Sequence, residues 1–342
     1  MSGLDEAGAP ATSDAAALAA GLQRLAALLV PGGGEVEALQ RLSGGASQQT
    51  WAFRIRGAGG SVPLVLRRAP TGGGERTRMT VGLDAEAELI AAARRGGVPV
   101  PAVCHVLRAD DALGRGFVMQ HLDGETLGRR IVRDARFAGA RRVLARQCGE
   151  ALARIHALPT AGLPPLRSGG AGAELQQQID VHRSHATARP VFELALRWLR
   201  DRRPAEPTQP VLVHGDFRNG NLMVDERGLV GVLDWELAHL GDPMEDLGWL
   251  CVNSWRFGRS ELPVGGFGTR DDLFAGYAAA GGRVDADRVR YWEVFGTLKW
   301  GVVCETMLAA WLGGHERDVE KAVIGRRASE SEIDLLALLA PG

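Results

Sequence analysis

Lysine is nearly missing from this chain. Of its 40 basic residues only Lys299 and Lys321 are lysine, so a role that calls for a lysine ammonium anywhere earlier must fall to arginine. The two side chains are not interchangeable: one is a compact point charge, the other a planar fork. Cysteine is scarce too. Cys104, Cys148, Cys251 and Cys304 stand far apart without a CxxC pair, which argues against a disulfide framework and a zinc site and leads us to expect a reduced, cytoplasmic setting. The formal net charge is −1, so no basic excess invites nucleic acid or an anionic membrane surface. No apolar run reaches the roughly 18 residues of a membrane span. The opening MSGLDEAGAPATSDAAAL is acidic and small, unlike a signal peptide. A GxxxxGK[ST] loop is missing, which excludes P-loop chemistry. So is a GxSxG elbow, which excludes an α/β-hydrolase. The Gly-rich patches at 32–34 and 72–74 lack the strand–helix context of a dinucleotide site.

What is present is a chain of 342 residues, 45% hydrophobic, long enough for one large domain or two lobes with cores of their own. Residues 1–13 read as disordered. The spacing predicts a helix over 14–30, stopped by Pro31-Gly32-Gly33-Gly34. Alternating patterns at 51–55 and 62–68 read as strands around a turn at Gly57–Gly60. A helix follows at about 83–95 and a strand at 116–121. From Leu127 onward helical patterns dominate: 137–157, 175–201 and, after a linker at 204–210, much of 271–340. The expected domains are 1–35 (a disordered start and N-terminal helix), 36–122 (a β-rich lobe) and 123–342 (a helical lobe). The fold class is α+β.

The densest polar punctuation lies in VLVHGDFRNGNLMVDERGLVGVLDWE, residues 211–236. An apolar triplet, Val211–Val213, breaks into His214-Gly215-Asp216. A second triplet, Leu222–Val224, turns at Asp225–Gly228 and returns through Leu229–Leu233 to Asp234. The pattern is a loop and a hairpin that deliver Asp216, Asn221 and Asp234 at controlled distances. Two carboxylates and an amide suit magnesium, which takes few protein oxygens and shares phosphate oxygens. They also suit phosphoryl transfer, which needs positioning, a metal clamp and a group that orients the attacking hydroxyl. Asp225-Glu226-Arg227-Gly228 is an ordinary turn.

His214-Gly215-Asp216 with Asn221, Leu233-Asp234-Trp235-Glu236, and Gly241-Asp242-Pro243 with Asp246-Leu247-Gly248 make the sequence resemble the aminoglycoside phosphotransferase/choline kinase superfamily, over roughly residues 38–310. The resemblance implies a bilobal protein-kinase-like fold, a small β-rich N-lobe and a larger helical C-lobe. It also implies ATP and Mg2+ as cofactors and a small-molecule hydroxyl acceptor. On it, Asp216 is the catalytic base and Asn221 and Asp234 are the metal ligands. His214 is structural, and Asp242 and Asp246 brace the loop or cap a helix. In the N-lobe, Gly44, Gly45 and Ser47 would offer backbone N–H groups and a hydroxyl to phosphate. Arg67 stands where many kinases carry a phosphate-binding Lys. Glu86 is its helix partner, with Glu88 the runner-up, and backbone groups of Gln120 and Leu122 would meet the adenine edge.

The segment between Asp234 and Asp242-Pro243 is too short for the peptide platform of a protein kinase. Loss of a metal ligand or of the base would mark a non-catalytic binding module, but Asp216, Asn221 and Asp234 are all present. Residues 250–320 mix Arg256, Arg259, Arg270 and Lys299 with Glu261, Glu293 and Glu305, which is no trap for a polycation. Leu298-Lys299-Trp300 and the strings above resemble the branch whose kinase domain is fused to acyl-CoA dehydrogenases, linked to phosphorylation of hydroxylated acyl groups. That implies a hydroxyacyl acceptor, with aminoglycoside phosphorylation as the alternative. His182 and His185 read as a surface helix, not a metal pair, and His156 as a packed helix residue. Trp249, Trp255, Trp292, Trp300 and Trp311 are expected mostly in the core, with one or two lining an acceptor pocket.

Overall fold

The structure, a computed structural model, describes residues 9–42, 48–69, 79–185, 187–314 and 319–340, with side chains from residue 15. The chain divides into two compact units, Met1–Arg95 with Val100–Asp123, and Gly96–Pro99 with Gly124–Gly342.

The first unit is built on a five-stranded sheet. Its strands are β1 (Glu35–Arg41), β2 (Gln49–Gly57), β3 (Gly60–Arg68), β4 (Val103–Val106) and β5 (Gly116–Gln120), in the order β1-β2-β3-β5-β4, every neighbour antiparallel. Period-two patterning sets the faces: Trp51, Phe53 and Ile55 of β2 are buried while Arg54 and Arg56 are exposed. Helix α1 (Ala9–Leu29) lays Leu18, Leu22 and Leu25 into the same core as Phe53, Ile55, Leu64 and Leu66. Those positions repeat at i, i+4 and i+7, one stripe of a helix. α1 begins at Ala9, several residues before the expected start, and belongs to the core of this unit instead of standing apart. Helix α2 (Leu83–Arg95) buries Leu83, Glu86, Ala87, Leu89, Ile90, Ala92 and Ala93. Sequence patterning shows neither β1 nor β4. β1 is interrupted by a bulge, with Ala38 at φ 52°, and β4 is only four residues long.

The second unit is mainly helical. Its helices are α3 (Gly128–Arg133), α4 (Ala138–His156), α5 (Ala171–Ser184), α6 (Pro190–Asp201), α7 (Met244–Leu250), α8 (Arg270–Ala279), α9 (Ala286–Leu312), α10 (Val319–Gly325) and α11 (Ala328–Leu339). Between α6 and α7 lie two antiparallel pairs: the hairpin β7 (Leu222–Asp225) with β8 (Gly228–Val232), and β6 (Val211–Val213) with β9 (His239–Gly241). The single helical stretch expected over 175–201 is two helices. Pro190 sits at the start of α6 and Arg189 is extended, as the residue before a proline tends to be. His182 is no surface residue. It is 5% exposed, with Nδ1 2.8 Å from Glu305 Oε2 of α9. His185 meets the Thr306 hydroxyl instead of a metal partner. Trp311, expected in the core, lies at the exposed end of α9.

Candidate active site

The loop between β6 and β7 is held from beneath by Asp246 of α7. This carboxylate is wholly buried. It accepts the backbone N–H of His214 at 2.8 Å and of Gly215 at 2.9 Å, and lies 3.1 Å from His156 Nε2. Burial opposes its charge, but hydrogen bonds and attraction from His156 and His214 outweigh that and hold the carboxyl below its usual range. His156 is fixed in turn by the Tyr277 hydroxyl of α8, 2.8 Å from Nδ1. Asp242 braces the next turn: Oδ1 accepts Met244 N–H, and Oδ2 pairs with Arg288 of α9. Both acids thus serve the loop and helix, as their positions suggested. Gly215 adopts φ +80°, and a Cβ there would stand 2.5 Å from the Leu237 carbonyl oxygen.

His214 links the two acidic segments. Its Nδ1 accepts the Asp216 N–H at 3.2 Å, and its Nε2 lies 3.1 Å from the Leu233 carbonyl. Only the tautomer with the proton on Nε2 satisfies both contacts. Burial pushes its pKa below the usual histidine value, against the pull of Asp246, Asp216 and Asp234, so the ring is neutral. Trp235 packs on it, centroids 4.8 Å apart. The imidazole therefore spaces Asp216 from the residue next to Asp234, and no ring nitrogen is left for proton transfer.

Asp216 is itself held at both oxygens. Oδ1 accepts from Arg218 Nε at 2.9 Å and from the Trp249 indole at 2.8 Å; Oδ2 accepts from Asn221 Nδ2 at 2.6 Å. Asn221 Nδ2 also reaches the Asp216 carbonyl, and the Asn221 carbonyl accepts the Leu233 N–H at 2.8 Å. Asn221 is thereby fastened to both Asp216 and the end of β8, with its amide held by the nitrogen end. Asp234 follows directly in a left-handed conformation, φ +63°. Asp tolerates this region better than most residues, and strain of this kind gathers at functional positions.

These residues fit a magnesium ion in their donor chemistry. One amide oxygen and one carboxylate are hard ligands, and Mg2+ completes its shell with water and phosphate oxygens. No group of three or more His, Cys, Asp or Glu among the described residues forms a metal cluster.

Within the first unit, Arg67 of β3 and Glu86 of α2 form an ion pair, Nε to Oε2 3.2 Å, with Glu86 1% exposed. Glu88 is exposed, so geometry selects Glu86. Arg67 Nε also donates to Gln48 Oε1 at 2.6 Å. The Gln120 N–H donates to the Ala102 carbonyl, so that group is engaged within the unit; Leu122 is half-buried just beyond β5. Gly44, Gly45 and Ser47 lie outside the described residues.

Arg218, Asn219 and Trp249 escaped the sequence reading in their roles at this loop. Asn219 is 1% exposed and ties the loop to the Trp255 and Gly265 carbonyls. An Arg two residues after a loop Asp is a local chelation pattern that could have been noticed. The reach of Trp249 from α7 has no local signal.

The profile of the phosphotransferase enzyme family matches residues 38–284. The chain belongs to this family. The phosphotransferase is similar to the protein named probable acyl-CoA dehydrogenase IBR3 of Arabidopsis thaliana, 27% identical over 312 residues, which cover 81% of this chain and 37% of that protein. The chain thus spans little more than a third of that relative's length. Among solved structures it shares the fold of a candidate aminoglycoside phosphotransferase of Ralstonia eutropha, with TM-score 0.72, 19% identity, and 93% and 97% of the two chains covered. It also shares that of a thermostable mutant of aminoglycoside phosphotransferase APH(4)-Ia in ternary complex with AMP-PNP and hygromycin B, with TM-score 0.60, 16% identity, and 94% and 99% covered. The α+β, protein-kinase-like fold expected from the motifs is the fold observed, and the family to which the chain belongs is one of phosphotransferase enzymes. None of the chain's described helices is long and apolar enough to cross a membrane.

Proposed function

We propose that this phosphotransferase moves the γ-phosphoryl group of Mg·ATP to a hydroxyl of a small hydroxyacyl compound, with Asp216 as the base. The acceptor oxygen forms a bond to the γ-phosphorus, the bond to the β-bridging oxygen breaks, and the hydroxyl proton passes to the Asp216 carboxylate while ADP leaves. Because phosphoryl transfer passes through a loose transition state, Asp216 acts first by orienting the hydroxyl and only late as a proton acceptor. Asn221 and Asp234 hold magnesium, which supplies neutralisation of phosphate charge. The Arg67–Glu86 pair presents a guanidinium to phosphate oxygens, bidentately where other kinases use a point charge.

The observation that supports this reading best is the lattice of Asp216, Asn221, His214 and Leu233. It fixes a buried carboxylate, an amide and the start of a strained Asp in one rigid arrangement. Rigid placement is what a reaction of this kind demands of its protein. The hydroxyacyl acceptor is favoured by the similarity to the probable acyl-CoA dehydrogenase IBR3.

The test is coupled ADP release with Mg·ATP over a panel of hydroxyacids and their CoA thioesters, choline, sugars and hygromycin B, with Asp216→Ala alongside. Turnover of a hydroxyacyl compound that the variant loses upholds the proposal. Turnover confined to hygromycin B replaces it with aminoglycoside phosphorylation.

A further inference from the structure

Three indoles meet beside Asp216. Trp249 donates to its carboxylate, the Trp249 and Trp255 rings lie 5.1 Å apart, and the Trp255 and Trp300 rings 4.8 Å apart. Each ring carries a cation on its face. Arg218 Cζ stands 4.6 Å from the Trp255 centroid, Lys299 Nζ 4.8 Å from Trp249, and Arg327 Cζ 5.7 Å from Trp300. Two of these cations already have carboxylates: Arg218 pairs with Asp216 at 2.9 Å and Arg327 with Glu330 at 2.9 Å.

Lys299 has none within ion-pairing distance among the described residues. Its nearest acidic influence is the buried Glu174, which is bonded to Arg167. Burial raises the Glu174 pKa, but Arg167, His239 and Lys299 outweigh it and keep the group ionised. The Trp255 and Trp300 indole N–H groups are buried without partners, as are the acceptors Asn219 Oδ1 and Glu174 Oε2. After Asp216 is neutralised by Arg218, one positive charge is left over, on one of only two lysines in the chain. A half-buried ammonium on an indole face keeps part of its field unscreened.

We infer that Lys299 is the anchor for an anionic group of the acceptor, so that the substrate is a hydroxylated anion and not a cation or neutral alcohol. The inference rests on the kinase reading of Asp216 and adds to it the charge of the acceptor. A monoanion complements the surplus charge. A polycation meets Lys299 and Arg218 as like charges.

The test compares wild type, Lys299→Met and Lys299→Arg in two readouts. One is steady-state ADP release; the other, independent of turnover, is tryptophan fluorescence during titration. The probes are 3-hydroxybutyrate, its CoA thioester, choline and glycerol. The expected result is a rise of at least about tenfold in KM and Kd for an anionic probe in Lys299→Met, a much smaller change in kcat, and recovery in Lys299→Arg. If the free acid carries the effect, the anchor takes a carboxylate; if only the thioester does, it takes a phosphate of the CoA. Equal losses for glycerol and the anions, or a fall in Tm with loss across the whole panel, would assign Lys299 to the scaffold and overturn the inference. Turnover of choline alone upholds the kinase reading and overturns the inference. Anion binding that depends on Lys299 but leads to no turnover with any acceptor upholds the anchor and sinks the kinase reading. Neither binding nor turnover sinks both.

Discussion

Asp216 is held by five hydrogen bonds: Arg218 and Trp249 on one side-chain oxygen, Asn221 on the other and on the backbone carbonyl, and His214 at the backbone N–H. Asp216→Asn keeps the volume but gives up the charge and the proton-accepting oxygen. We expect kcat to fall by about 10²–10⁴-fold, the range for removing a positioned base, and the melting temperature to fall as well, because the new NH2 must face a donor at one of the two oxygens and Arg218 loses its counter-charge. Steady-state kinetics and calorimetry check both halves. Arg67→Lys tests the other arm. If the fork matters more than the charge, KM for ATP rises although a cation is still present, because the Gln48 and Glu86 contacts need the guanidinium geometry. Asp216, Asn221, Asp234 and Glu86 were nameable as candidates because the family resemblance attaches particular side chains to fixed places in its motifs. Arg218 and Trp249 were not, because indoles and guanidinium groups serve equally as core and surface residues.

At the scale of elements, close approach decides the fold of the second unit. α4 and α8 cross where a Cβ added to Gly149 would stand 2.1 Å from the Leu273 carbonyl oxygen, and one on Gly276 2.0 Å from that of Arg146. Gly149→Ala must push the helices apart, at about 1–3 kcal/mol for overpacking a core, and since Tyr277 of α8 orients His156, loop alignment suffers with it. Denaturant midpoints and kcat are expected to fall together. Gly215→Ala combines steric contact with a left-handed φ, so its effect on activity should exceed its effect on stability. Helices with long stripes, α1, α2 and α4, were readable from periodicity. The bulged β1 and the short β4 were not, since strand pairing and not residue pattern sets them, and the break between α5 and α6 had only Pro190 as its local sign.

For the molecule as a whole, two buried histidines shape the pH dependence of stability with opposite signs. His214 has a folded pKa below its unfolded value of roughly 6.5. The unfolded chain therefore takes up a proton first as pH falls below that point, and stability declines on the acid side. For His239, burial lowers the pKa but Glu245 outweighs it, and the folded value lies above the unfolded one. Its contribution is complete below roughly pH 6.5 and is lost as pH rises through the folded value. These two groups alone give a maximum near that pH. Asp246, depressed in the fold, adds a further loss only below about pH 4. Urea midpoints between pH 5 and 8.5 are expected to show the acid limb flatten in His214→Asn and the alkaline limb flatten in His239→Asn. Mg·ATP is expected to raise the melting temperature by mass action on the folded state, and Asp234→Ala to remove the magnesium-dependent part of that rise.

By itself the sequence determined the alternation that makes β2 and β3, the stripes of the long helices, and the polar spacing from His214 to Asp234 that identifies the family. These are local or periodic properties, and side-chain chemistry writes them directly into residue order. Only the tertiary structure decided that Glu86 and not Glu88 faces Arg67, that Asp246 ties His214 and Gly215 to His156, that His182 is buried against Glu305, and that Lys299 lies over the indole that holds Asp216. Each of these joins elements distant in sequence, where the partner is chosen by packing and by the need to satisfy buried charge, and no spacing rule reaches that far.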